Sequence, residues 1–210
     1  MKQSTGEAAD DIRINGSGVY RDDVQAETVH IAGHGRFEGD LAAGSFKSSG
    51  SCRVKGRCSA RRMSNIGHAH FRSVIAEHIY TAGSFQADEL VEADTFHAKG
   101  IVTIGETLKA GEVRIELQGA AAIKRIYAER SIDLRADRLS VVNWLRFSRK
   151  KAVCDSLECP RIEVSHLEAK LVAGEEIQIG AGCTIGEVRY SKTLVVDPRS
   201  VVKRTVHISI

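Results

Sequence analysis

The stretch GSCRVKGRCSARRMSNIG, Gly50–Gly67, holds one unit of the pattern that organises this chain. Counted from Gly50, small or apolar residues stand at the second, fourth, eighth and thirteenth places (Cys52, Val54, Cys58, Met63), and Asn65 stands at the fifteenth. Polar and charged residues such as Arg53 and Lys55 alternate with them. Alternation at period two marks a strand with one buried face, whereas a helix would repeat near every 3.6 residues.

The unit recurs along the chain. Glycines fall at Gly16, Gly33, Gly50, Gly67, Gly83, Gly100 and Gly119, a period of 17 with one residue lost before Gly83 and two gained before Gly119. The fourth place after each is Tyr20, Phe37, Val54, Phe71, Ala87, Ile104 and Ile123. The eighth is Val24, Leu41, Cys58, Ile75, Val91, Leu108 and Tyr127, and the thirteenth is Val29, Phe46, Met63, Tyr80, Phe96, Val113 and Ile132. All 21 are apolar in a chain that is 42% apolar. At the fifteenth place Ser48, Asn65 and Ala82 follow one another, which predicts a short polar ladder inside the core.

Short alternating strands at a fixed step too short for a helical repeat describe an all-β, parallel β-helix. Inward residues at the second and fourth, eighth, and thirteenth and fifteenth places imply three short faces and a triangular cross-section, each residue stacking on its equivalent about 4.8 Å away. The paired signature begins at Ile12 and Ile14 and returns at Ile162 and Val164, Ile177 and Ile179, and Leu194 and Val196. One elongated domain is therefore expected. It comprises a polar tail over 1–11, rungs over 12–134, an irregular rung or looped insertion over 135–161 and further rungs over 162–210. At that spacing the chain forms about nine or ten rungs.

Composition narrows the function. Lys and Arg total 30 against 27 Asp and Glu, with the signs interleaved, so no broad footprint for nucleic acid is present. No apolar run approaches the roughly 20 residues of a membrane span, and MKQSTGEAADD lacks a signal peptide's apolar core, so a cytoplasmic protein is expected. Five cysteines at irregular spacing (Cys52, Cys58, Cys154, Cys159, Cys183) suit a reducing compartment and match no zinc signature.

Candidate chemistry is sparse. His68 and His70 alternate on one strand, and His34 lies in the column of His68, but Ser51 stands between them with no carboxylate recurring alongside. Cys52 and Cys58 fall in inward columns, where a thiol packs as a small apolar group. No catalytic residue, metal site or cofactor is expected. IQIGAGCTIG, Ile177–Gly186, resembles two turns of a hexapeptide repeat and keeps open the alternative of an acyltransferase, yet Arg189 and Ser191 break the sixfold phase. A non-polymerising adaptor is a further alternative. Trp144, Arg146, Phe147, Arg149, Lys150 and Lys151 form a basic and aromatic run, read as a partner-binding loop or an inert one.

The form of GSCRVKGRC and GRFEGDL, followed by steps such as AAGSFKSSG, resembles the bactofilins, polymer-forming cytoskeletal proteins of bacteria, over roughly residues 12–208. IEVSHLEAKLVAGEEIQIGAGCTIGEVRYSKTLVVDPRSVV, Ile162–Val202, resembles the C-terminal half of the longer Gram-positive members. The resemblance implies a right-handed triangular β-helix that assembles head to tail without nucleotide, as a homopolymer or a copolymer with a paralogue. The resulting filaments or sheets localise partner proteins in cell shape, cell-wall or motility processes. The family's apolar N-terminal targeting segment has no counterpart in MKQSTGEAADD, so any place at the inner membrane face is expected to come through recruited proteins.

The residues at the two ends independently suggest assembly. Val201, Val202, Val206, Ile208 and Ile210 crowd the last turn with β-branched side chains, and Ile12 and Ile14 open the first. Repeat rods normally carry polar caps, because a terminal rung exposes unpaired backbone and one side of its core layer. These seven residues are the expected polymerisation interface, with a tail folding back over one end as the competing account.

Overall fold

The computed structural model describes residues 9–136 and 151–209. Its strands are β1 (Ala9–Ile14), β2 (Ser17–Tyr20), β3 (Val24–Ile31), β4 (His34–Phe37), β5 (Leu41–Ser48), β6 (Ser51–Asn65) and β7 (His68–Ala87). They continue as β8 (Leu90–Ala136), β9 (Ala152–Glu158), β10 (Arg161–Val164), β11 (Leu167–Ile179), β12 (Thr184–Val196) and β13 (Val201–His207). The long strands bend around corners of the coil. Every strand pairing is parallel, and successive pairs are offset by about one repeat, as in Phe37 with Val54 and Phe46 with Met63. The chain is a β-solenoid of about 11 turns. Its length is on the order of 50 Å.

Three ladders make each turn. In the turn that begins at Ser17 they are 17–20, 24–26 and 28–31, and the break at Glu27 separates the second from the third. The turn count exceeds the nine or ten expected, and β9 supplies first-face and second-face ladders through AVCDSLE, a stretch with no glycine marker.

Corner length explains where the expected columns slip. Most early corners between first and second face put three residues between inward positions, as from Phe37 to Leu41, both fully buried. After Phe71 the corner is one residue shorter, and β6 and β7 shift register between Val54 and Arg57. Val74, Ile79 and Thr81 therefore point inward, while Ile75 and Tyr80, expected inside, are 38% and 44% exposed. A shortened corner after Ile123 likewise buries Ile126 and leaves Tyr127 47% exposed. Thr81, rather than Ala82, continues the polar column. The Asn65 amide donates to Thr81 Oγ1 at 3.1 Å and to the Ser84 carbonyl at 3.2 Å.

Six inward columns fill the triangle. One is alanine through seven successive turns: Ala26, Ala43, Ala60, Ala76, Ala93, Ala110 and Ala128. Against it, Phe46, Phe71, Phe85 and Phe96 form a connected spine with centroids 5.5 to 5.9 Å apart, each contact contributing about 0.5–1.5 kcal/mol beyond area burial. Outward residues pair across turns, as Lys55 with Glu38 at 2.6 Å and Arg72 with Glu89 at 2.8 Å. Exposed pairs of this kind contribute little each, because water screens them and ordering two long side chains costs entropy.

Glycine is required at the corner between third and first face. The Gly16 carbonyl accepts the His34 N–H at 2.7 Å, Gly33 accepts Ser51 at 2.9 Å and Gly50 accepts His68 at 2.9 Å. A Cβ on Gly33, Gly50 or Gly67 would be driven into the carbonyl oxygen of the glycine one turn below. Gly50→Ala should therefore destabilise the fold by about 2–3 kcal/mol. Denaturant unfolding checks this, and an unchanged midpoint would remove the close approach as the reason for the column.

Candidate assembly surfaces

The two ends of the coil are built from equivalent elements. At one end β1 is the outermost strand of the third face and β2 of the first, each paired on a single side among the described residues. Ile12 and Ile14 are buried, whereas Tyr20 and Val24 are half-buried, and the Tyr20 ring stacks flat on Phe37 at 4.9 Å. At the other end residues 193–196 of β12 close the third face and β13 closes the first and second. Leu194 and Val202 pack half-buried on the core, and Val196 is 37% exposed.

Register places the expected interface residues individually. Ile12 pairs with Val29 and Ile14 with Ile31, in the inward columns of the third face. Val202 pairs with the buried Ile185 and so caps an inward column. Val206 pairs with Arg189, an outward position, and the inward places beside it belong to Thr205 and His207, opposite Val188 and Tyr190. Val201 and Ile208 are exposed. Ile210 lies outside the described residues, as do Trp144, Arg146, Phe147, Arg149 and Lys150. Lys151 is described, and its ammonium pairs with Glu168 at 2.7 Å. Leu194 and Val196 belong to the same end layer and were not among the expected interface residues. Their place as the last isoleucine-column equivalents was already visible in the repeat.

The β12–β13 end is tied down by one turn. Asp197 accepts from the Arg199 backbone at 2.9 Å and from its guanidinium, which donates to Oδ2 at 2.8 Å, and Ser200 Oγ donates to the Gly180 carbonyl at 2.7 Å. The Arg199 side chain first, and then its backbone N–H, hold the Asp197 carboxyl down at about 2, from an ordinary 3.8. A depressed carboxyl stabilises the turn above pH 3.8 and loses that contribution as pH falls toward 2. An NMR titration should show Asp197 ionising near the bottom of this window, and Arg199→Ala should return it to the ordinary range. An unmoved titration in Arg199→Ala would disconnect the guanidinium from the shift.

Elsewhere the side chains converge little. His34, Ser51 and His68 share an outward column, as expected, while His70 Nε2 lies 2.8 Å from Asp88. Among the described residues no three His, Cys, Asp or Glu side chains gather to hold a metal ion. A concavity of about 690 Å³ runs along the second face over the alanine column, with Glu77, Asp94 and Glu129 on its rim and no His or Cys in its lining. The seven-fold alanine was its sequence signal. All five cysteines are free and buried, and burial pushes the Cys52 and Cys154 thiols up to about 12. A thiol reagent at pH 8 should leave the folded protein unlabelled and modify all five after unfolding. Rapid labelling of the native rod would show that the columns open.

No family model matches the chain, and no solved structure matches it. It is similar to an uncharacterized protein, YhbF, of Bacillus subtilis (strain 168), with 41% identity over 59 residues. That stretch is 27% of this chain and 25% of the relative's length. Among the described residues no helix is long and apolar enough to cross a membrane.

Proposed function

We propose that this protein is a structural, self-assembling rod. Copies join end to end, without nucleotide or other cofactor, into filaments or sheets that position other proteins. The observation that carries this reading is the pairing of two open ends. Each terminates in strands bonded on one side only among the described residues, and each leaves part of its apolar layer half-covered. Unpaired strand edges template further strands, and a solenoid ordinarily ends in polar caps that block this. The likeness of the repeats to bactofilins supports the same role, with no catalytic function. Homopolymers or copolymers with a paralogue, and recruitment of cytoplasmic or membrane proteins, follow from that likeness.

Gly16 offers a test that separates assembly from folding. It begins the glycine column, yet a Cβ there would meet nothing within 4 Å, because no described turn lies beyond it. Among the described residues the glycine has no steric reason within one rod. Gly16→Ala should leave unfolding within about 0.5 kcal/mol of wild type while weakening assembly. Sedimentation velocity and negative-stain microscopy of cofactor-free protein should show elongated assemblies for wild type and shorter or fewer ones for the variant. Wild-type protein that stays monomeric at high concentration would overturn the reading.

A further inference from the structure

One stretch of the third face lacks the pairing of opposite charges found elsewhere on the rod. Four successive turns place Ser45, Arg62, His78 and Thr95 in one outward column and Lys47, Ser64, Tyr80 and His97 in the next. None of these residues is a carboxylate. At the corner between first and second face, by contrast, Lys55 meets Glu38 at 2.6 Å and Arg72 meets Glu89 at 2.8 Å. The two columns line a concavity of about 420 Å³ that holds no Asp or Glu in its lining. His78 Nδ1 lies 3.0 Å from Thr95 Oγ1, and His97 lies 3.6 Å from Glu112. Lys47 and Arg62 are exposed, and among the described residues neither takes part in an ion pair or a hydrogen bond. The carboxylates of Glu77 and Asp94 belong to the alanine concavity around the next corner.

Register arranges the two free cations with two hydroxyls. Ser45 pairs with Arg62 and Lys47 with Ser64, so the four stand at the corners of one quadrilateral, cations on one diagonal and hydroxyls on the other. Strands about 4.8 Å apart and a two-residue rise of about 6.6 Å put the cations about 8 Å apart at their α-carbons. An extended polypeptide presents alternate side chains on one face about 7 Å apart, so two carboxylates separated by one residue reach both cations. The guanidinium fork takes a carboxylate bidentately, and each hydroxyl can donate to the same oxygens. Tyr80, one turn beyond Ser64 and 44% exposed, adds an aromatic contact of the kind enriched at protein interfaces. A lipid surface is held by clusters of roughly four to eight cations, and nucleic acid binding grows with each phosphate neutralised. Two permanent cations suit neither.

We propose that this stretch of the third face is a docking surface for an extended, acidic segment of a partner protein, with alternate carboxylates seated on Lys47 and Arg62 and the chain continuing over Tyr80. The surface lies on the side of a single rod. Binding by unassembled protein would leave it standing, and failure to bind would leave end-to-end assembly untouched.

The test uses the full chain and a fluorescein-labelled peptide of alternating glutamate and serine, read by fluorescence anisotropy at ~50 mM salt, where exposed charges are least screened. Wild type should bind saturably. Lys47→Glu with Arg62→Glu should weaken binding about ten-fold or more, corresponding to about 1.4 kcal/mol or more. Lys124→Glu with Arg125→Glu makes the same change of net charge at residues that pair with Glu106, and should leave binding within about two-fold of wild type. Thermal melts report whether each form stays folded, and Lys47→Gln with Arg62→Gln serves if the reversal does not. No saturable binding by wild type, or equal losses in the two reversed forms, would overturn the docking surface. Tighter binding of anionic vesicles or of a single-stranded oligonucleotide, lost on reversing Lys47 and Arg62, would also overturn it by assigning the face to a different partner.

Discussion

The structure depends on the close approach of two backbones at one corner of the coil. Where the third face passes into the first, each glycine carbonyl accepts an N–H from the turn above, and the α-carbon of the next glycine sits against that oxygen. A side chain there would force neighbouring turns beyond the roughly 4.8 Å spacing that parallel strand pairing requires. Hydrogen-bond spacing and the missing Cβ thus set the repeat together. Later turns meet the same demand differently. His166 takes a left-handed backbone conformation, φ 54°, with its ring beneath Gly182, and Asp197–Ser200 makes a longer, hydrogen-bonded turn. Holding a non-glycine residue in that conformation costs on the order of 1 kcal/mol, so the glycine corner is the less strained solution and is used wherever the turns are most regular.

With the corner fixed, the core becomes a problem of filling a narrow triangle. Six inward positions per turn cannot all be large. The second face supplies alanine through its last column, and the first and third faces supply the phenylalanine spine, so large and small groups divide the section between them. One region departs from this economy. Ser48, Asn65 and Thr81 bring hydroxyls and an amide into the centre, and the Asn65 N–H groups find three acceptors, while Ser48 Oγ and Asn65 Oδ1 have no hydrogen-bond partner among the described residues. That column lies directly beside the glycine corner, where the carbonyls of Gly67 and Ser84 are within reach of an inward donor.

Much of the fold was legible because glycine and large apolar residues mark different things at a constant interval. Glycine marks the corner and apolar residues mark the faces, so both reinforce one period. Legibility failed where length changed without a marker. The corner after Phe71 loses a residue between two strands that both alternate cleanly, and counting on from Gly67 lands on Ile75 and Tyr80, which are apolar yet outward. An apolar residue at the wrong parity leaves no trace in composition. The alanine column is hard to read for the opposite reason, since alanine is unremarkable singly and informative only in register. The ends were legible as a crowd of β-branched residues, but which of them face the core depended on pairing: Val206 follows Arg189 outward, and Thr205 and His207 take the inward places.

The pairing of charges along the sides bears on why the ends would be the adhesive surfaces. A parallel coil stacks each outward residue on another about one repeat away, and this chain repeatedly places opposite signs there: Lys55 on Glu38, Lys99 on Glu116, Lys151 on Glu168, Lys192 on Glu175. Each such pair is weak in water, but together they leave those stretches of the side with their charges answered inside the molecule. A ladder of this kind is necessarily incomplete at its first and last members, because each has a neighbour on one side only. The same is true of the backbone bonds and of the apolar columns. Among the described residues, strand pairing and the apolar columns therefore become incomplete at the same two places, and the proposed end-to-end assembly would complete both there.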